Sequence, residues 1–306
     1  MPVSVALATR VGELALANPV MTASGTAGHG SELAPYGELG SLGAVVVKSL
    51  CVEPWGGNPA PRLTEVGGAM LNSVGLSGPG IAAWLEEDLP ALRAAGATVV
   101  ASIWGRRVAD FEDAAQALRP AAGALAAVEV NVSCPNIEDR ARMFAHSPRA
   151  TAEAVLAAEC GLPRWVKLSP NVADLTAVAE AAQGAGAAAL TLVNTVLGMA
   201  IDTEERRPVL GAGGGGLSGP PLRAVAVRCV FEIRAAFPDL PLIGVGGISS
   251  GVHAVELLLA GANAVQVGTA TFRDPRAPWR VLRELGAWCD DHGVADVAEL
   301  IGAAHD

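Results

Sequence analysis

This chain has no two cysteines spaced to share a metal. Cys51, Cys134, Cys160, Cys229 and Cys289 form no CxxC pair and no other ligand spacing, which excludes an iron–sulfur or zinc centre of the chain's own. An odd count without an export signal argues against disulfides, and Cys160, Cys229 and Cys289 read as small buried hydrophobes. No apolar run approaches the roughly 18 residues of a membrane span. The opening MPVSVALATRVGELALANPV lacks a basic segment followed by an apolar one, so a cytoplasmic protein with no membrane partner is expected. Positive charge is scarce: 21 basic residues face 31 acidic ones, a net charge of −10 with no basic run, which speaks against a nucleic-acid partner. Aromatic residues make up 4% of a chain that is 51% hydrophobic, so its core is built from Ala, Val and Leu. Lysine is the scarcest cation. Of 21 basic residues only Lys48 and Lys167 are lysine, so a site that keeps one needs a compact ammonium on a flexible stem.

What is present is an alternation of short Val/Ile/Ala-rich runs with amphipathic stretches, the pattern of parallel βα units. Residues 3–8 and 12–16 read as a hairpin ahead of them. Strands are expected at 19–22, 44–48, 98–103, 127–132, 165–168, 188–193, 242–245 and 264–267, with helices at 79–95, 108–118, 149–160, 173–184, 220–236, 250–260 and 277–292. Asp110, and Ser147 or Thr151, suit N-cap or first-turn positions. Eight strands with intervening helices in 306 residues point to an α/β fold, a (β/α)8 barrel with an N-terminal β-hairpin, forming a single domain over 1–306. The absence of GxGxxG after the first strand weighs against an open doubly wound sheet. The run GAGGGG, 211–216, reads as a mobile or phosphate-facing loop.

In such a barrel, chemistry collects at the C-terminal strand ends. Those ends carry Thr22-Ala23-Ser24-Gly25, Lys48-Ser49, NVSCPN (131–136), Lys167-Leu168-Ser169, Asn194-Thr195, Gly246-Gly247 and Gly268-Thr269. Both lysines and three of the eight asparagines are among them. The turns GVGGIS and QVGTAT offer backbone N–H groups suited to a phosphate. Lys167 fits either a Schiff base or a positive charge beside a cofactor ring that stabilises its reduced, anionic form. Asn72, Asn131, Asn136 and Asn194 pair donor with acceptor and suit a ligand with alternating C=O and N–H groups. Cys134 lies past its strand, before a proline, where an open polar site would make it a nucleophile or a base. None of His29, His146, His253, His292 and His305 has a matching strand-end position, which favours a base removing one proton. An ordinary thiol pKa of about 8.5 would make activity rise in mild alkali.

NPVMTASGT, VVKS, EPWGGNPAPRL, MLNSVGL, NVSCPN, VKLSP, NTVLGMAIDTEERRPVLG, GGLSGP, GVGGI and VQVGTA follow in order. Together they resemble class 1 dihydroorotate dehydrogenase over nearly the whole chain, and the NVSCPN and GLSGPG regions look more like subclass 1B than 1A. The resemblance implies oxidation of dihydroorotate to orotate, with Cys134 taking the C5 proton while hydride leaves C6 for FMN. FMN would meet Ala23, Ser24, Gly25, Lys48, Ser49, Asn131, Lys167 and Val193, its phosphate lying on Gly246, Gly247, Gly268 and Thr269 with Gly219 nearby. The substrate would be held by Lys48, by Asn72, Ser73, Val74, Gly75 and Leu76, and by Asn131, Asn194 and Thr195, with Asn136 completing the amides. Loop 135–146, with Asp139, Arg140 and Arg142, would be a lid. A homodimeric core is implied, with an electron-transfer subunit carrying FAD and a 2Fe–2S cluster that passes electrons to NAD.

The sequence departs from the pattern at Ser102, where the family often has an asparagine touching FMN, and at Ser77 and Gly78, where it commonly has a polar residue and Asn. Four other readings stand beside this one. They are a self-sufficient 1A-like enzyme using fumarate, an FMN enzyme for another dihydropyrimidine such as dihydrouracil, a Schiff-base lyase using Lys167, and a non-catalytic scaffold. Lys48 argues for a carboxylated substrate.

Overall fold

Runs of Val, Ala and Leu bounded by Gly, Pro or Asn become strands buried from end to end, as in a parallel sheet covered on both faces. Eight form one parallel sheet: β1 Val20–Thr22, β2 Val45–Val46, β3 Val99–Ile103, β4 Ala127–Asn131, β5 Arg164–Leu168, β6 Ala189–Leu192, β7 Leu242–Val245 and β8 Ala264–Val267. In space the order is β1-β8-β7-β6-β5-β4-β3-β2. A bridge between Met21 and Ala44, with Thr22 N donating to Ala44 O at 3.2 Å, closes the cylinder. The computed structural model describes residues 5–139 and 142–305.

Helices cover the outside. Ile81–Ala83, Trp84–Asp88 and Leu89–Ala94 run on as one helix whose middle turn is widened to π geometry. Val108–Leu118, Pro148–Ala157, Leu175–Gly184, Arg223–Ala236, Gly251–Leu259 and Ala277–His292 complete the ring. Ser147 caps its helix by accepting from Ala150 N at 3.3 Å. Asp110, in the first turn, accepts from Arg106 N and Arg107 N. Among the described residues no helix is long and apolar enough to cross a membrane.

The hairpin exists, but not where the alternation places it. Its strands are Thr9–Val11 and Leu14–Leu16, turning at Gly12-Glu13. Residue Ala6 instead lies beside the C-terminal segment, donating to Ala295 O and accepting from Val297 N, both at 2.9 Å. Residues 3 and 4 of that expectation lie outside the described residues.

Side chains alternate inward and outward along each barrel strand. At the N-terminal end the inward residues form an apolar layer of Met21, Val46, Val100, Ala127, Trp165, Ala189, Ile243 and Ala264, plugged by Val11 and Leu16 of the hairpin. Two residues further along, five of the eight inward positions are polar and buried: Ser102, Glu129, Lys167, Thr191 and Gln266.

Above that layer the excursions after β2 and β6 build a four-stranded antiparallel sheet, Val196–Gly198, Gly215–Ser218, Ala69–Asn72 and Leu63–Val66 in spatial order. The end of the glycine run is therefore strand rather than free loop. Gly216 pairs with both Leu197 and Asn72, and a Cβ on it would strike the Thr195 side chain.

Candidate active site

A cavity of about 520 Å³ opens at the C-terminal strand ends, within the roughly 300–1,000 Å³ of small-molecule and cofactor pockets. Most of the expected site residues meet there. Ala23, Ser24 and Gly25 after β1, Lys48 and Ser49 after β2, Asn131 ending β4, Lys167 on β5 and Val193, Asn194 and Thr195 after β6 all line it. So do Asn72, Ser73, Val74, Gly75 and Leu76 from the mouth sheet, and Gly219, Gly246, Gly247, Gly268 and Thr269 at the far end. Both lysines of the chain reach this single cavity.

The floor is hydrogen-bonded throughout. Asn194 Nδ2 donates to Asn131 Oδ1 at 3.2 Å, and Asn131 Nδ2 to Ser49 Oγ at 3.3 Å. Ser49 and Ser102 share a bond of 2.9 Å. Lys167 Nζ donates to Ser24 Oγ at 3.2 Å and to Gln266 Oε1 at 3.4 Å. Asn72 Nδ2 donates to Gly216 O at 3.1 Å. An amide nitrogen carries two protons, and among the described residues Asn72, Asn131 and Asn194 each use one within the wall. Burial, then the nearby Arg62 charge, lowers the Lys48 pKa from its ordinary value.

Glycine turns close the far end. Gly246 and Gly247 have φ of 141° and 70°, backbone that L side chains rarely adopt, and a Cβ on Gly247 would meet Arg223 N at 2.8 Å. Thr269 Oγ1 donates to Ser218 Oγ at 2.8 Å there.

Three expected site residues lie away from the cavity. Ser102 is one layer lower, beneath Ser49. Asn136 is buried in the stem of the lid, where Pro135–Asn136 pairs with Arg142–Met143; its Oδ1 accepts from Glu138 N at 3.0 Å, so it shapes a turn. Cys134 is fully buried, its thiol donating to Asn131 O at 3.2 Å. Its surroundings are not the open polar site expected, and burial pushes the thiol up to about 12. Ser133 and Pro135, its neighbours, do line the cavity.

The lid stem is tied down by Ile137 N to Arg106 O at 2.9 Å, Ala145 N to Val132 O at 2.9 Å, and Phe144 set edge-on against Phe111 at 5.3 Å. Asp139 and Arg142 are exposed; Arg140 lies outside the described residues. The sequence reading missed Glu129, Thr191 and Gln266 in the buried layer, and Ser133, His146 and Asn171 on the cavity wall. Asn171 Nδ2 donates to Thr195 O and its Oδ1 accepts from Leu197 N, both at 2.9 Å, so it pins the excursion after β6. Polar residues at alternate positions of apolar strands were the available signal for the layer.

Residues 6–288 match the family model described as dihydroorotate dehydrogenase. The chain is 46% identical over 299 residues to the protein named dihydroorotate dehydrogenase B (NAD(+)), catalytic subunit, of Geobacter sp. (strain M21), covering 97% of each. It is 46% identical over 300 residues to the protein of the same name from Desulforudis audaxviator, again covering 97% of each. To that of Desulforamulus reducens it is 44% identical over 301 residues, covering 98% of each. The chain belongs to the dihydroorotate dehydrogenase family.

Proposed function

We propose that this chain is the catalytic subunit of a dihydroorotate dehydrogenase of the NAD-linked kind, oxidising (S)-dihydroorotate to orotate in pyrimidine synthesis. The observation that carries the reading is that Lys48, Lys167 and the amides of Asn72, Asn131 and Asn194 converge on one cavity whose far end is lined by glycine turns. That cavity fits FMN. Side chains are absent where a phosphate has to meet backbone N–H groups, at Gly246, Gly247 and Gly268, and an ammonium rises from the floor at Lys167.

When bound, FMN supplies the acceptor for the hydride leaving C6. The chain's residues do the rest. Ser24, Ser49, Val193 and Lys167 would hold the ring, and Gly219, Gly246, Gly247, Gly268 and Thr269 would hold the phosphate. Lys48 pairs with the substrate carboxylate, which an uncharged dihydropyrimidine such as dihydrouracil lacks. The second protons of Asn72, Asn131 and Asn194 meet the pyrimidine carbonyls, and Thr195 and the Asn72–Leu76 stretch flank them. Cys134 takes the C5 proton as a thiolate, once its thiol has released its proton to solvent and the sulfur has turned from Asn131 O towards the cavity. Loop 135–146 permits that turn when it shifts, and it excludes water when it closes. Two electrons leave for NAD through a partner subunit carrying FAD and a 2Fe–2S cluster. The chain works as one domain, 1–306, within a homodimeric core in the cytoplasm; the exposed Leu197, Met199 and Ile201 beside the mouth offer apolar contact surface.

The test is an anaerobic absorbance titration of the purified chain. Dihydroorotate bleaches the flavin band, dihydrouracil does not, and neither fumarate nor NAD restores colour until the electron-transfer subunit is added with NAD. Recovery with fumarate alone assigns a self-sufficient enzyme. A chain with no flavin band returns the question to a Schiff base at Lys167, trapped by borohydride.

A further inference from the structure

Glu129 has no part in the steps above. It is 0% exposed on β4, one inward position below Asn131. Gln266 Nε2 donates to its Oε2 at 2.7 Å, Thr191 Oγ1 to the same oxygen at 3.3 Å, and Ser102 Oγ to Oε1 at 3.5 Å. Lys167 Nζ stands 3.8 Å from Oε1. Burying a carboxylate and an ammonium in a barrel core is costly, and apolar residues of like volume are often as stable or more so. The layer beneath is filled in that way, with Val, Ile, Ala and Trp. The polar layer lies directly below the cavity, and Lys167 is the member that both reaches the cavity and sits beside the carboxylate.

We propose that Glu129 is a positioning residue that holds the Lys167 ammonium at the cavity floor, offsets its charge, and thereby sets how strongly the site favours reduced over oxidised flavin. The proposal rests on the flavin reading above. Two electrons and one proton convert a neutral flavin ring to its reduced anion, adding one negative charge. Lys167 favours that charge, and a carboxylate in the same low-dielectric layer opposes it. Glu129 also explains Ser102, whose hydroxyl bridges the carboxylate to Ser49 and, through Ser49, to the amide of Asn131.

Glu129→Gln keeps the shape and removes the charge. A potentiometric titration of the FMN-loaded chain is expected to show at least a tenfold rise in the reduced-to-oxidised ratio at fixed potential, about 30 mV upward for a two-electron couple. Affinity of the apo-chain for oxidised FMN, read by fluorescence quenching, stays near wild type. Glu129→Asp draws the carboxylate back by one methylene and shifts the ratio in the same direction by less, about threefold. An unshifted or lowered potential in whichever variant binds FMN overturns the proposal, as does a variant that melts earlier yet keeps the wild-type potential. A wild-type chain that takes up no FMN overturns the flavin reading instead.

Discussion

The thiol of Cys134 donates to the carbonyl of Asn131, 3.2 Å away, while the residues on both sides of it face the cavity. Burial pushes the thiol up to about 12, so the charged base is scarce at neutral pH. The thiolate fraction rises about tenfold per pH unit below the pKa. Turnover of dihydroorotate is therefore expected to climb steadily through the alkaline range instead of levelling near an ordinary thiol pKa. Stopped-flow flavin bleaching against pH checks this, and a plateau at pH 8 counts against a buried base. Cys134→Ala is expected to keep the flavin spectrum and lose about 10²–10⁴-fold in rate.

Lys48 reaches the cavity with its pKa lowered by burial and by Arg62. Its replacement by Met leaves a bound carboxylate unpaired, a loss of about 1.5–3 kcal/mol. Expected is a roughly 10- to 100-fold fall in kcat/KM for dihydroorotate per bound flavin, apart from any loss of FMN. Steady-state kinetics beside a flavin assay separate the two.

Gly247 holds a φ of 70° against the backbone of Arg223. Gly247→Ala adds strain of about 1–3 kcal/mol and moves the turn that faces the phosphate. FMN affinity is expected to drop about 5- to 100-fold, read by fluorescence titration, with riboflavin affected much less.

Phe144 is fully buried and packs edge-on against Phe111 at 5.3 Å. Phe144→Ala opens a cavity where the lid stem joins the barrel and is expected to cost about 3–5 kcal/mol in urea unfolding.

The barrel was legible because Val- and Ala-rich runs such as AVVVK and AVQV are long enough to cross it and too short and branched for helices, while Gly and Pro mark their ends. The hairpin slipped because VALA (5–8) has strand character but its backbone bonds Ala295 and Val297, nearly 300 residues away in sequence. Gly215 and Gly216 looked like loop because sequence does not reveal that Asn72 and Thr195 crowd them. Asn136 and Asn131 share one motif; only the fold shows that one turns the lid and the other floors the cavity. Cys134 is buried where the lid stem folds back, Phe144 N donating to its carbonyl at 3.3 Å, and no local pattern reveals that. Glu129 was readable as a charge at an inward strand position, and its partner Lys167 was noticed without it.

Met21, Trp165 and Ile243, stoppered by Val11 and Leu16, seal the barrel below the site. Among the described residues the tube is thus blind at that end, and small molecules reach the site through its mouth. Orotate has to leave by the way dihydroorotate came in, and a small oxidant has to wait for it. The chain by itself is built to take turns, and steady-state data with a soluble acceptor should fall on the parallel double-reciprocal lines of a ping-pong cycle.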